Sequence, residues 1–128
     1  DTNVLVSAIF FAGVPGRILA AWSERRFDIV ATVDILSEYR RVIARLEGRF
    51  PSIEASAVLD LVVRECRIVE PAFVPDWACE DADDLEFLRC ALAAGASCVV
   101  SGDRALLRAS GFERIAVLTP RAFASRHL

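Results

Sequence analysis

The sequence contains no lysine; all 15 of its basic residues are arginine. That absence removes whole classes of chemistry. A P-loop needs the lysine of its Gly-Lys-Ser/Thr turn, and Schiff-base enzymes need a lysine amine. Methionine is also missing, so Asp1 is not expected to be the natural start. No apolar run approaches the roughly 20 residues of a membrane span, and no signal-peptide pattern opens the chain. The expectation is a soluble, cytoplasmic protein without a membrane partner. The four cysteines, Cys66, Cys79, Cys90 and Cys98, show no Cys-x-x-Cys spacing, so they read as small buried thiols rather than zinc ligands. The single histidine, His127, sits in the tail.

What is present fits one compact domain spanning residues 1–128. Hydrophobic residues make up 55 % of the chain, and a chain of this length buries about two thirds of its unfolded surface. Helix and strand patterns alternate. Residues 3–12 and 16–26 read as helices, and 27–31 as a short strand. Thr32 caps a helix whose apolar positions Ile35, Leu36, Tyr39, Val42, Ile43 and Leu46 follow the 3.6-residue period. Ser52 is expected to cap the next helix, through about residue 64, before a strand over 67–70. A helix over 85–94 ends at Gly95. A strand over 97–100, a short helix over 103–109, a strand over 115–118 and a helical tail after Pro120 complete the chain. Short apolar strands separated by helices imply a parallel sheet covered on both faces. In such sheets ligands bind beyond the carboxyl ends of the strands.

Most of the 18 acidic residues have ordinary places. Asp83 and Glu86 have the spacing of a capping box, and Asp34 suits a helix start. Four do not fit so easily. Glu38 lies on the edge of an apolar helix stripe, and Asp84 shares the face of Phe87, Leu88 and Ala91. Asp103 follows a strand directly, and Asp1 would follow one if an apolar strand preceded it. Carboxylates converging in one cleft repel each other and raise each other's pKa. Mg²⁺ or Mn²⁺ resolves that repulsion with oxygen ligands alone.

These residues, in order, resemble the PIN domain, the metal-dependent ribonuclease family that includes VapC-like toxins. DTNVLVSA resembles the family's opening motif, and the Glu of SEYRRV is its second acid. DADDLEFLRCALAAGASCVVSGDRALL resembles the third and fourth acid motifs, and IAVLTP its closing strand. The resemblance implies a three-layer α/β/α fold around a central parallel sheet. It also places an apolar strand ahead of Asp1, so the first strand is expected to be truncated here.

The function so implied is endonucleolytic cleavage of single-stranded or loop RNA with Mg²⁺ or Mn²⁺. Asp1, Glu38, Asp84 and Asp103 would hold the metal, with activated water as the nucleophile. Thr2, Asn3, Asp81 and Ser101 are candidates to orient those carboxylates or water. Arg17, Arg40, Arg41, Arg104 and Arg108 are candidates to grip RNA phosphates. The net charge of −3 becomes +1 once the four proposed ligands are set aside. The resemblance further implies a cognate antitoxin and a homodimer, with Trp22, Phe50 and Trp77 as contact candidates. A phosphatase of the haloacid dehalogenase type would need an Asp where Asn3 stands, and it shares with receiver domains a need for lysine. The remaining alternative is a non-catalytic PIN-like module that binds nucleic acid or a protein.

Overall fold

The computed structural model describes residues 1–128. Its elements run α1 (Thr2–Phe10), α2 (Gly13–Ser23), β1 (Val30–Ala31), α3 (Val33–Glu47), α4 (Ala55–Glu65), β2 (Arg67–Ile68), α5 (Leu85–Ala94), β3 (Cys98–Val100), α6 (Arg104–Arg108), β4 (Ala116–Leu118) and α7 (Pro120–His127). Single 3₁₀ turns cover Asp76–Ala78, Ala82–Asp84 and Phe112–Arg114. No single helix is long and apolar enough to cross a membrane.

Local chemistry accounts for most boundaries. The Thr32 hydroxyl accepts from Ile35 N at 3.2 Å and starts α3, satisfying one of the helix's unpaired amides. Ile35, Tyr39 and Ile43, spaced four apart, are then driven into the core. Gly95 takes a left-handed conformation (φ 65°) that ends α5, a geometry side chains with a Cβ resist. Two expected caps are absent. Glu54, not Ser52, precedes α4 and makes no side-chain cap bond. The Asp83 and Glu86 capping box does not form either. Asp81 instead accepts from Asp83 N at 3.0 Å, tightening the 3₁₀ turn so that α5 begins at Leu85, one residue later than a box at Asp83 would place it.

The strands are shorter than their apolar runs. β1 pairs in parallel with β2 (Val30 with Arg67), and β3 pairs in parallel with β4 (Val99 with Val117). The pairing yields two separate two-stranded ribbons in a mixed helix and strand fold. The single central sheet expected from the alternation is therefore not what the ladders form. The physical reason is an open cleft of about 500 Å³ between β1 and β3, lined from both sides by helices. Ladders stop where no neighbour continues them. α5 packs against both β1 and β3 and holds the ribbons together. A main core of 24 buried residues runs from Leu5 to Val117. A smaller cluster joins Ile18, Leu118 and Phe123.

Candidate active site

The carboxyl end of β3 is where the acids gather. β3 ends at Val100, whose carbonyl accepts from the Asp1 nitrogen at 2.7 Å. Asp1 then caps α1, with Oδ1 accepting from Val4 N at 3.0 Å. Ser101, fully buried, donates its hydroxyl hydrogen to Asp1 Oδ2. The same hydroxyl oxygen accepts from Asp103 N at 3.0 Å. One serine thus ties together the two acids furthest apart in sequence. Asp103 caps α6 by accepting from Leu106 N at 3.1 Å.

Asp84 faces Asp103. Burial, and then the nearness of Asp103, pushes the Asp84 carboxyl up to about 6. Asp103 moves the other way, held below the usual carboxylate range chiefly by the Leu106 amide. Asp84 Oδ2 is sealed from solvent and finds no hydrogen-bond donor. Asp81 adds a weaker repulsion to Asp84.

Glu38 forms a second pair, with a partner that sequence reasoning gave to a cap. Glu86 points inward from α5; its Oε1 is buried and unpartnered. Burial and the facing Glu38 push it up to about 7. The sign was available in the sequence. Cys90, one turn on at i+4, is buried, so Glu86 shares a core-facing row. Buried Thr2 donates its hydroxyl hydrogen to Glu38 Oε2. Arg41 reaches Glu38 only at 3.9 Å, from a side chain that is mostly exposed, a weak pairing.

Glu38 and Asp84 both lie near the buried Asp1 backbone nitrogen. The four predicted acids therefore occupy one neighbourhood, resolved into the pairs Asp84 with Asp103 and Glu38 with Glu86, beside a serine-tethered Asp1. No three of them converge on a single ion position. Asn3 is exposed at the edge. Among the arginines, Arg108 is clasped by both oxygens of Glu80 at 2.9 and 3.0 Å. Arg40 meets Asp60 at 3.8 Å. Arg17 and Arg104 are exposed and make no ion pair.

The donor chemistry suits a hard divalent cation. Two buried carboxylate oxygens lack any donor, and Mg²⁺ is commonly held through only one or two carboxylates with water completing its shell. One of these oxygens, on Asp84, lies beside Asp103 at the end of β3, and the other, on Glu86, lies beside Glu38. Residues 1–105 match the PIN domain family, and the chain belongs to it. PIN domains are generally nucleases that act on nucleic acid and use divalent metal ions. No curated protein and no solved structure gives a match.

Proposed function

We propose that this chain is a Mg²⁺- or Mn²⁺-dependent endoribonuclease of the VapC-like toxin kind, acting on single-stranded or loop RNA in the cytoplasm. The observation that carries the reading is Asp84 Oδ2, a buried carboxylate oxygen with no donor, set against Asp103 at the end of β3. A fold tolerates such an oxygen at a cost, and a cation site gives it a use. Asp84 and Asp103 would hold the ion, with Glu38 and Glu86 as a neighbouring acid pair. A divalent cation held there supplies positive charge opposite a reacting phosphodiester and makes water a better nucleophile.

The other residues position these groups. Ser101 fixes the Asp1 carboxylate and the Asp103 backbone together, and Thr2 fixes Glu38. Arg17 and Arg104, free of carboxylates, are the arginines best placed to take phosphates; Arg40, Arg41 and Arg108 must first leave their partners. Trp77 is 79 % exposed and Phe73 85 %, which supports a protein contact such as an antitoxin or a second copy. Trp22 is buried and Phe50 half-buried, so neither serves that purpose as well. The finer fold reading is that the two ribbons are halves of one parallel sheet in a three-layer α/β/α arrangement.

A second reading rests on the absence of any three acids converging on one position. It makes the chain a non-catalytic module that binds nucleic acid or a protein. End-labelled, mixed-sequence RNA separates the two when incubated with Mn²⁺, with EDTA and with Asp84→Asn. Cleavage by the wild type with metal alone supports the nuclease. A mobility shift without cleavage in any condition supports the module.

A further inference from the structure

Trp77 is 79 % exposed, yet its ring is held. It lies 5.7 Å from the Phe112 ring at 78°, an edge-to-face contact. Phe112 itself packs on the main core. Whichever ring offers its edge, one whole face of the indole stays open. Phe73, the exposed aromatic nearby in sequence, has no ring beside it. The turn that carries Phe112 is strained. Glu113 and Arg114 both take left-handed backbone, with φ of 49° and 64°, which residues with a Cβ resist. Both side chains are exposed, so their own burial does not account for the strain. What the turn achieves is to set Phe112 against Trp77.

The ring pair is also tied to the acids. Cys79, two residues after Trp77, donates its thiol hydrogen to Ala105 O at 3.6 Å. Glu80 clasps Arg108. Both partners lie on α6, whose first turn is capped by Asp103, and α6 is only about 7–8 Å long. Arg104 and Arg108, four apart, share one face of it, and Arg104 makes no ion pair. We propose that Trp77 is a stacking platform for one unpaired base of a single-stranded nucleic acid whose backbone crosses α6 from the acid pair. Arg104 meets a phosphate between the acids and the platform. The proposal rests on the reading that the acid site takes single-stranded RNA, and it adds how the strand is gripped. Exposure alone fits a protein contact equally. The open face, the fixed ring and the tether to α6 are what a base requires. Asp76 and Glu113 adjoin the two ring residues and offset Arg114, so the platform holds a base face rather than a phosphate. Every base has such a face, which makes the contact tolerant of sequence.

The test is binding in EDTA, where a metal-dependent nuclease cuts nothing and a binding module behaves the same. The probe is an end-labelled, mixed-sequence single-stranded RNA followed by anisotropy. Trp77→Ala is expected to weaken binding about tenfold, by the same factor at low and high salt, because no phosphate contact is lost. Trp77→Phe keeps an aromatic face and is expected to stay within about threefold of the wild type. Trp77→Leu, equally apolar, is expected to behave like the alanine variant. The other tryptophan, Trp22, is buried, so iodide quenching reports on Trp77, and bound RNA should protect it. Because Trp77 is exposed, all three variants should melt with the wild type. Wild-type affinity in Trp77→Ala, or equal binding by the leucine and phenylalanine variants, would overturn the proposal. So would a wild type that takes up no RNA. Self-association lost in Trp77→Ala with RNA affinity unchanged would assign the ring to a protein contact instead. Cleavage with Mn²⁺ is scored separately. A chain that binds through Trp77 without cutting keeps the platform and refutes the nuclease; one that cuts and binds regardless of Trp77 does the reverse.

Discussion

A carboxylate such as Asp84 is informative because its surroundings give it nothing to bond. Two consequences follow at the scale of single residues. Asp84→Asn supplies an amide where a buried oxygen lacked a donor and removes repulsion with Asp103. The variant is expected to melt no lower than the wild type in EDTA, yet to lose metal-dependent RNA cleavage entirely. Retained cleavage at the wild-type rate would remove Asp84 from the site. The second consequence is a pH dependence. Asp84 and Glu86 have ordinary values of 3.8 and 4.5 but sit at about 6 and about 7 in the fold. At these two groups the folded state binds more protons than the unfolded chain, so their contribution to metal-free stability falls as pH rises. The contribution is full below about pH 4 and is lost as pH passes the folded values of Asp84 and then Glu86. Thermal melts in EDTA should show the wild type losing stability relative to Glu86→Gln as pH rises from 5 to 7. An unchanged difference between the two across that window would contradict the acid pairs. Ser101→Ala is a third residue-level change. It strips the buried Asp1 Oδ2 and the Asp103 amide of their shared partner, at a cost of about 1–3 kcal/mol, readable by urea denaturation.

At the scale of elements, helices were far more legible than strands. α5 and the Gly95 stop stand where the pattern puts them, because a 3.6-residue stripe and a left-handed glycine are both local signals. α3 is equally local, and Thr32→Ala is expected to cost about 1 kcal/mol, seen as a lower melting midpoint. The missing Ser52 cap and the missing Asp83 and Glu86 box have a common origin. A cap motif names residue types, whereas the cap itself depends on where the preceding turn delivers the chain. The strands shrank for a different reason. The strands expected over 27–31 and 67–70 form only at Val30–Ala31 and Arg67–Ile68, because a ladder needs a partner along its whole length, which sequence windows cannot see. Glu86 was missed because a capping motif explained it too early. The burial of Cys90 one turn away was the better guide. Asp103, by contrast, is both the cap it resembled and a member of the acid group; the two roles never competed.

For the whole molecule the deciding quantity is the cleft. The cleft of about 500 Å³ opens to solvent and keeps the two ribbons apart. Each ribbon, however, closes within one stretch of sequence, β1 with β2 through α3 and α4, and β3 with β4 through α6. With no hydrogen-bonded ladder joining them, the two stretches can open one at a time. Native-state amide exchange should therefore divide the protein into two cooperative units. Amides of 30–68 should share one opening free energy, and those of 98–118 another. A single common value would mean that α5 and the shared core couple the halves. The split sheet thus gives the protein two unfolding thresholds in place of one, with its acid pairs drawn from both sides of the divide.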